Sequence, residues 1–231
     1  MPKRYFASRL FAFLRELEAN NDRAWWEANK DRYLKLIREP ALDFITDFAP
    51  RLEKISSHFV ADARTQGGSL MRPYRDIRFS KDKTPYKTNV GIQFRHEMGR
   101  DVHAPGFYLH LEPGACFAGA GMWKPEAAVA RQVREAIYSK PADWRRATRS
   151  KRFASVWSLE SDDAYVLKRM PREFEDDHPF PEDLKLKSFV VSSRLTQRQV
   201  TSEGFDAELA RMFAVAKDFT RFLCQATGIP F

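Results

Sequence analysis

The stretch Phe107-Tyr-Leu-His-Leu-Glu112 decides the fold, because apolar and polar side chains alternate along it with a period of two. Residues 90–95 and, over a shorter run, residues 76–80 show the same alternation. Successive side chains of a β-strand point to opposite faces, so each stretch predicts a strand with one apolar face. The Pro-Gly pair that follows the first stretch predicts a tight turn into a fourth strand over residues 115–123, and we therefore expect an antiparallel meander.

Helical periodicity flanks these strands on both sides. Asp22 is placed to cap one helix and Pro40 to begin the next, which Pro50 must kink or divide. The predicted layout is helical over residues 1–60, antiparallel strands over 73–123, helical over 125–150, a strand over 188–196 and one long closing helix over 204–227. A run of strands between helical regions is typical of an α+β fold, so we expect a single domain, residues 1–231, with one twisted antiparallel sheet of about four to six strands packed by helices.

Composition agrees with a single domain. With 231 residues, 43% of them hydrophobic, the chain is long enough to bury a sizeable core, and no linker or repeat divides it. Its longest uncharged run falls far below the ~20 residues that span a bilayer, so no membrane partner is expected. Cys116 and Cys224 are too few for a disulfide framework, and we expect a reducing, cytoplasmic location.

The charge of the chain favours an anionic partner. The formal net charge is +8, and half of that excess lies between Arg72 and Lys87, where six Lys or Arg residues stand against two Asp residues. These cations alternate with aromatic and turn-forming residues, which indicates a structured segment with the character of a binding site. The alternative is a soluble protein whose surface is merely basic.

The same segment also resembles a known family. Arg75-Asp-Ile-Arg-Phe-Ser-Lys-Asp-Lys-Thr-Pro-Tyr-Lys-Thr-Asn89 resembles the signature of DUF2461, a domain family of unknown function. Three further stretches resemble that family in order and spacing: Asn20-Asn-Asp-Arg-Ala-Trp-Trp26, His103-Ala-Pro-Gly-Phe-Tyr-Leu-His-Leu-Glu-Pro113 and Gly119-Ala-Gly-Met-Trp-Lys-Pro125. The resemblance extends over almost the full length of the chain. It implies an uncharacterised bacterial domain and brings no reaction, cofactor or substrate with it.

Polar side chains of the predicted strands should converge on the face opposite the apolar one. That face is expected to carry Asp76, Arg78, Arg95, Tyr108, His110 and Glu112. We interpret His110 as a candidate general acid or base, with Glu112 or Asp76 as its orienting carboxylate. Tyr108 completes the candidate catalytic set, and Arg78 is the candidate for stabilising charge in the transition state. The alternative is an ordinary solvated sheet face.

The loop between the first two predicted strands, residues 81–87, is a second candidate site. Its three lysines are placed to clamp a phosphate, although the residue order of a Walker loop is absent. The candidate ligand-binding residues of the chain are Arg75, Arg78, Lys81, Lys83, Lys87, Arg95 and Trp123. The alternative is a charged hairpin whose lysines stay in water.

Two further patterns leave alternatives open. Gly119, Gly121 and Trp123 are expected on one face of the fourth strand, where close packing of a helix is favoured over a flat ligand. Residues 20–26 are interpreted as a capped helix junction with core tryptophans rather than as a wall over the polar face. Arg194, on the last predicted strand, is a further candidate for holding an anion.

Metal ligands are present without a recognised spacing. Asp76, Asp101, His103, His110 and Glu112 offer nitrogen and oxygen ligands, yet no His-Glu-x-x-His or Cys-x-x-Cys pattern occurs. We therefore predict no metal site, and the cofactor, if the protein uses one, is unknown.

The expected function is the binding of a phosphorylated or carboxylated ligand on the basic polar sheet face. Two alternatives stand beside it: an enzyme of hydrolase or transferase type that uses His110, and a protein that binds nucleic acid through a basic groove. Shape distinguishes them, because an enclosed pocket favours a small ligand or substrate, whereas a broad basic groove favours nucleic acid.

Overall fold

The structure, a computed structural model, describes residues 2–99, 104–162, 165–175 and 177–231. Its helices are α1 (Ser8–Ala19), α2 (Arg23–Tyr33), a π-helical turn (Leu34–Arg38), α3 (Glu39–Glu53), α4 (Ala127–Ser139), α5 (Pro141–Arg149), α6 (Lys151–Ala154), α7 (Pro181–Leu184), α8 (Gln197–Val200), α9 (Phe205–Val215) and α10 (Lys217–Ala226). Its strands are β1 (Phe59–Val60), β2 (Val90–His96), β3 (Gly106–Leu111), β4 (Phe117–Met122), β5 (Ser158–Leu159) and β6 (Phe189–Arg194). In these ranges no helix is both long and apolar enough to cross a membrane.

The six strands of the described residues lie in one antiparallel sheet with the order β1-β2-β3-β4-β6-β5. Strands β2, β3 and β4 form the predicted meander, in which Gln93 pairs with Tyr108 and Tyr108 pairs with Gly119. Strand β6 pairs antiparallel with β4, with Ser192 opposite Gly119. The two strands are therefore neighbours in the sheet although they are far apart in the sequence. The predicted α+β fold with a single antiparallel sheet is confirmed.

One face of the sheet packs against helices and forms the core. Phe94 of β2 stacks on Phe48 of α3 with ring centroids 4.9 Å apart, and both side chains are fully buried. Phe107 of β3 lies 4.7 Å from Phe213 of α9, measured between the ring centroids. Burying one side chain of this size stabilises the fold by about 1.5–3 kcal/mol. These apolar contacts account for the alternation that predicts the strands.

The N-terminal helices follow the predicted order but are joined more closely than expected. Asp22 caps α2, and its carboxylate accepts the backbone N–H of Trp25 at 2.9 Å. Pro40 stands in the first turn of α3, where its missing N–H has little cost, and the π-helical turn joins α3 to α2 without a loop. Pro50 lies inside α3 and does not divide it. The two predicted helices therefore form one continuous helical run.

The predicted strand at residues 76–80 is absent. Residues 71–89, which we call the basic loop, instead form an irregular segment with no strand of the sheet. The Asp76 carboxylate accepts the backbone N–H of Arg78 at 3.2 Å, and such a local bond competes with the ladder of a sheet. Phe79, which the alternation assigned to the apolar face, is 94% exposed. The alternation over these five residues therefore did not produce a strand, because local side-chain bonds hold the backbone in an irregular conformation.

The predicted closing helix is divided into α9 and α10 at Ala216. The N–H of Ala216 lies 3.0 Å from the carbonyl oxygen of Phe213 and 3.3 Å from that of Met212, so the last turn of α9 is tightened. The Met212 carbonyl also accepts the indole N–H of Trp157 at 3.1 Å. Because this acceptor is shared, the normal helical bond at Ala216 is weakened where the helix breaks.

Candidate functional site

The outer face of the sheet, opposite the core, carries a defined set of side chains. Tyr108 on β3 pairs with Gly119 on β4, and the two share this face. His110, two residues further along β3, pairs with Gly91 on β2 and with Phe117 on β4. The predicted alternation therefore places Tyr108 and His110 together on the outer face.

A cavity of about 690 Å³ opens over this outer face, and we call it the sheet-face cavity. It is lined chiefly by Met71, Gln93, Gly106, Tyr108, His110, Phe117, Gly119, Gly121, Trp123, Glu160, Asp162, Tyr165, Ser192 and Arg194. Its volume falls within the roughly 300–1,000 Å³ that is typical of small-molecule sites. The sheet-face cavity is therefore large enough to hold a small organic ligand.

Glycines give the sheet-face cavity its depth. Gly106 on β3 and Gly121 on β4 are cross-strand partners, and Gly119 lies two residues before Gly121 on the same face. At Gly119 an added Cβ would meet no atom closer than 3.7 Å, so a side chain would fit there. Because glycine has no side chain, the cavity is wider at this point. At Gly121, where φ is +123°, an added Cβ would lie 2.0 Å from the carbonyl oxygen of Phe189. Close packing, which the sequence favours for both positions, therefore explains Gly121 but not Gly119.

Tyr108 and His110 of β3 form a hydrogen-bonded chain with Glu112, which directly follows the strand. The imidazole Nε2 of His110 lies 3.0 Å from a carboxylate oxygen of Glu112, and its Nδ1 lies 3.1 Å from the hydroxyl oxygen of Tyr108. The side-chain amide nitrogen of Asn89 also approaches Nδ1, at 3.2 Å. Because an amide N–H can only donate and a carboxylate can only accept, this arrangement fits a neutral imidazole with its proton on Nε2. Burial, and to a smaller extent the charge of Glu112, raises the pKa of Tyr108 to about 12, so its hydroxyl keeps its proton at neutral pH.

Charged groups of both signs line the sheet-face cavity. Arg194, at the end of β6, has no acidic partner within the described part of the chain. Glu160 accepts a hydrogen bond from the hydroxyl of Ser192, and Asp162 is a second acid in the lining. The cavity therefore offers one guanidinium and two carboxylates to a ligand.

Several predicted ligand-binding residues lie instead in the basic loop and bond within it. Arg75 donates to the carboxylate of Asp82 and to the hydroxyl of Thr84. Lys83 donates to the backbone carbonyl of Ile77 at 3.0 Å. These cations help to order a segment whose only β-bridge among the described residues of the loop is the one between Tyr74 and Tyr86, and they do not line the sheet-face cavity.

The prediction that Asp76 and Arg78 share the outer face with His110 is wrong. Without a strand at residues 76–80, both side chains stay in the basic loop, where Arg78 donates to the Asp76 carboxylate at 2.7 and 2.9 Å. These bonds from Arg78 lower the pKa of Asp76 to about 2. The carboxylate that contacts His110 is Glu112.

The other predicted ligand-binding residues are divided between regions. Trp123 lines the sheet-face cavity, whereas Lys81 is exposed on the basic loop. Arg95 lies on β2 and donates to the backbone carbonyl of Gly67 at 2.7 Å. Lys87 is half-buried, and burial, together with a neighbouring arginine, lowers its pKa. Of these four residues, Trp123 is the one that the cavity contains.

A protein-family model matches the chain over residues 9–222, and it is described as Conserved hypothetical protein (DUF2461). The chain belongs to the DUF2461 family. The resemblance inferred from the four sequence stretches is thereby confirmed. No curated protein and no solved structure matches this DUF2461 protein significantly.

In this DUF2461 protein, residues 20–26 form the predicted capped helix junction. Asp22 caps α2, Trp26 is buried, and its ring stacks on Tyr86 of the basic loop with centroids 4.3 Å apart. Trp25 is half-buried and contacts Phe13 of α1. Two of the four segments on which the family resemblance was based therefore contact each other, and neither Trp25 nor Trp26 lines the sheet-face cavity.

Sequence reasoning missed part of the cavity of the DUF2461 protein. Ser192 stands two residues before Arg194 on β6 and shares its face, so the strand period was a usable signal for it. Glu160, Asp162 and Tyr165 lie in a region without a readable period, and the pairing of β5 with β6 brings that region to the sheet. Long-range pairing of this kind leaves no local pattern in the sequence.

No metal site is evident in the ranges that the structure describes, because no group of three or more His, Cys, Asp or Glu side chains is placed to hold an ion. Asp101 and His103, two of the nitrogen and oxygen ligands considered from the sequence, lie outside the described residues. Cys116 and Cys224 are both free and buried.

Proposed function

We propose that this DUF2461 protein binds a small carboxylated molecule in the sheet-face cavity. The observation that carries the proposal is the cavity itself, about 690 Å³ in volume, with bare glycine backbone in its floor and a guanidinium in its lining. The rings of Phe117, Trp123 and Tyr165 line the cavity and give it aromatic walls for a flat ligand body. A few polar groups among apolar walls are the usual composition of a small-molecule site.

Arg194 and the acids near it favour a carboxylate over a phosphate as the anionic group of the ligand. A guanidinium without an acidic partner can take a carboxylate through two parallel hydrogen bonds. A phosphate dianion is less favoured, because Glu160 and Asp162 in the same lining would repel it. These acids suit an amine or hydroxyl group elsewhere on the ligand. The Glu160 carboxylate bonds to the hydroxyl of Ser192, two residues before Arg194 on β6 and so about 7 Å from it along the strand.

The basic loop supports an anion site less well than Arg194 does. Its cations Arg75, Arg78 and Lys83 already bond to acceptors inside the loop. Binding a ligand there would first break those bonds, which offsets much of the gain from charge pairing. The same internal pairing weighs against this loop as a groove for nucleic acid.

Unfolding followed by scanning calorimetry, with a panel of small carboxylic acids and matched phosphate esters, tests the proposal. A carboxylate that fits should stabilise the wild-type fold by about 2.7 kcal/mol at a concentration of 100 times its Kd. Arg194→Gln should abolish this stabilisation by the carboxylate. The matched variant Arg198→Gln, on the exposed side of α8, should retain it.

A second variant keeps the test specific to the cavity. Gly119→Leu should also remove the response, because it fills the floor from a position with room for a side chain. A carboxylate response that survives in both Arg194→Gln and Gly119→Leu would place the ligand elsewhere, and a response to phosphate esters alone would contradict the chosen ligand class.

A second candidate function, acid–base catalysis, is favoured by the chain of Tyr108, His110 and Glu112. Glu112 holds the Nε2 proton of His110, which leaves Nδ1 as the basic nitrogen. Tyr108 is a proton-bearing hydroxyl in hydrogen-bond reach of that nitrogen, and both side chains line the cavity. A carboxylate that orients an imidazole next to a hydroxyl is a common arrangement for moving a proton.

Nitrogen-15 NMR of the imidazole and a turnover assay together test this candidate. In the wild type we expect the His110 tautomer with its proton on Nε2 and none on Nδ1, and Glu112→Gln should weaken that preference. Turnover of p-nitrophenyl carboxylate esters should be lost in both His110→Asn and Glu112→Gln. A His110 proton on Nδ1, or equal turnover in the wild type and both variants, would remove the catalytic candidate.

A further inference from the structure

A second basic surface lies on α5 and α6, and its residues do not line the sheet-face cavity. Residues 140–152 carry six Lys or Arg against one Asp, a formal charge of +5 in a chain whose net charge is +8. The six cations, all exposed, are Lys140, Arg145, Arg146, Arg149, Lys151 and Arg152. We call this region the α5–α6 surface.

Most of the positive charge on the α5–α6 surface is not neutralised by the protein. Arg146 pairs with Asp143, and Arg149 pairs with Asp183 at 2.7 Å. The cations without an acidic partner in the described part of the chain are Lys140, Arg145, Lys151 and Arg152. In the basic loop, by contrast, Arg75 and Arg78 are both paired with carboxylates.

The α5–α6 surface is also held in shape. Arg149 is anchored by Asp183, a buried carboxylate that accepts the indole N–H of Trp144 at 2.6 Å. The guanidiniums of Arg145 and Arg149 lie 5.6 and 5.7 Å from the ring centroid of Phe180. These arginines line a depression of about 470 Å³. Fixed guanidiniums lose less conformational entropy when an anion binds than mobile ones do.

The extent and the polarity of this surface distinguish between anionic partners. Helix α5 alone extends for about 13 Å, whereas backbone phosphates follow one another roughly every 3.4 Å along a nucleic-acid strand. The cations therefore match several phosphates rather than one. A membrane is less suitable, because helices bind its interface through exposed apolar side chains. The large exposed hydrophobic residues of the described chain all lie elsewhere: Val60, Tyr74, Phe79, Met98 and Trp123.

We infer that the α5–α6 surface binds the phosphate backbone of a nucleic acid, without reading its base sequence. Lys and Arg contacts to phosphate position a protein on the strand but carry no sequence information. This site differs in residues and in ligand class from the sheet-face cavity, so neither proposal depends on the other.

Fluorescence anisotropy with short labelled single-stranded oligonucleotides of two unrelated sequences, measured across a salt series, tests the inference. The test variant carries Arg145→Gln, Lys151→Gln and Arg152→Gln, which remove unpaired cations and break no ion pair. The control carries Arg9→Gln, Arg15→Gln and Lys35→Gln, three exposed cations of α1 and the π-helical turn, with the same change of charge.

The wild type should bind both sequences equally, with affinity that falls steeply as salt rises. Each lost phosphate contact should lower the slope of log K against log salt by about 0.7, so the test variant should lose about 2 from the slope and the control should lose nothing. Equal losses in the two variants would show a general charge effect and overturn the inference. So would a wild type that binds anionic phosphatidylserine vesicles but no oligonucleotide. Arg194→Gln should bind the oligonucleotides as the wild type does.

Discussion

Asn21 and Tyr86, 65 residues apart in the chain, are joined by two hydrogen bonds between one side chain and one backbone residue. The Asn21 amide donates to the Tyr86 carbonyl at 2.9 Å, and its carbonyl oxygen accepts the Tyr86 N–H at 3.0 Å. The side chain thus takes the place of a neighbouring strand on one edge of Tyr86, whose segment bridges to Tyr74 on the other edge. With the stacking of Tyr86 on Trp26, this contact fastens the basic loop to the N-terminal helices.

Replacing Asn21 should therefore destabilise the protein more than replacing its neighbour. Asn21→Ala removes both bonds and leaves a part-buried N–H and carbonyl without partners, and we expect a loss of about 2–3 kcal/mol in the free energy of unfolding. Asn20→Ala removes a single exposed bond to the Glu16 carbonyl and should cost less than about 1 kcal/mol. Urea unfolding measures both. Equal losses would mean that the Asn21 bonds contribute no more than a surface contact.

Substitutions at Phe79 and Phe107 distinguish the observed fold from the one that alternation alone predicts. Phe107 is fully buried, so Phe107→Ala should cost about 3–5 kcal/mol. Phe79 is 94% exposed, and Phe79→Ala should change stability by no more than about 0.5 kcal/mol. Chemical denaturation of the two variants checks this. A loss of several kcal/mol for Phe79→Ala would mean that Phe79 is buried, as the predicted strand at residues 76–80 requires.

Replacement by alanine should change stability far less at Gly119 than at Gly121, two residues further along β4. Gly119→Ala adds a methyl group that meets nothing closer than 3.7 Å, so stability should change by less than about 1 kcal/mol. Gly121→Ala forces a positive φ on alanine and a clash with the Phe189 carbonyl, and it should cost more than about 3 kcal/mol. Thermal melts distinguish the two. If both variants melted like the wild type, the backbone conformation at Gly121 would be in doubt.

Tyr108 should make stability depend on pH in the alkaline range. Its pKa is about 12 in the fold and 10.0 for the unperturbed side chain, so the unfolded chain loses its proton first as pH rises. The contribution of Tyr108 to stability is therefore complete below about pH 10 and is lost as pH rises towards about 12. Tyr108→Phe should flatten this part of the stability profile. Ultraviolet titration of Glu112→Gln should show a lower pKa for Tyr108, and an unchanged value would exclude Glu112 as a cause.

Much of the sheet and half of the candidate site could be predicted from local patterns. In β3, Leu109 is fully buried while Tyr108 and His110 line the outer face, because strand geometry alone assigns alternate side chains to opposite faces. The bond between His110 and Glu112 follows from the same rule, since residues two apart in a strand share a face. The cap at Asp22 is equally local, because its partner lies three residues away.

The tertiary structure decided the rest. Bonds between Asp76 and Arg78 stabilise an irregular backbone in place of the predicted strand, and the fold of the basic loop brings Arg75 to Asp82. Glu160 reached the cavity only because β5 pairs with β6. Periodicity shows which residues of one helix or strand point to the same side, so it predicts which side chains share a face. It carries no information about which distant segment packs on that face, and that choice determines whether a charge is paired in solvent or aimed into a cavity.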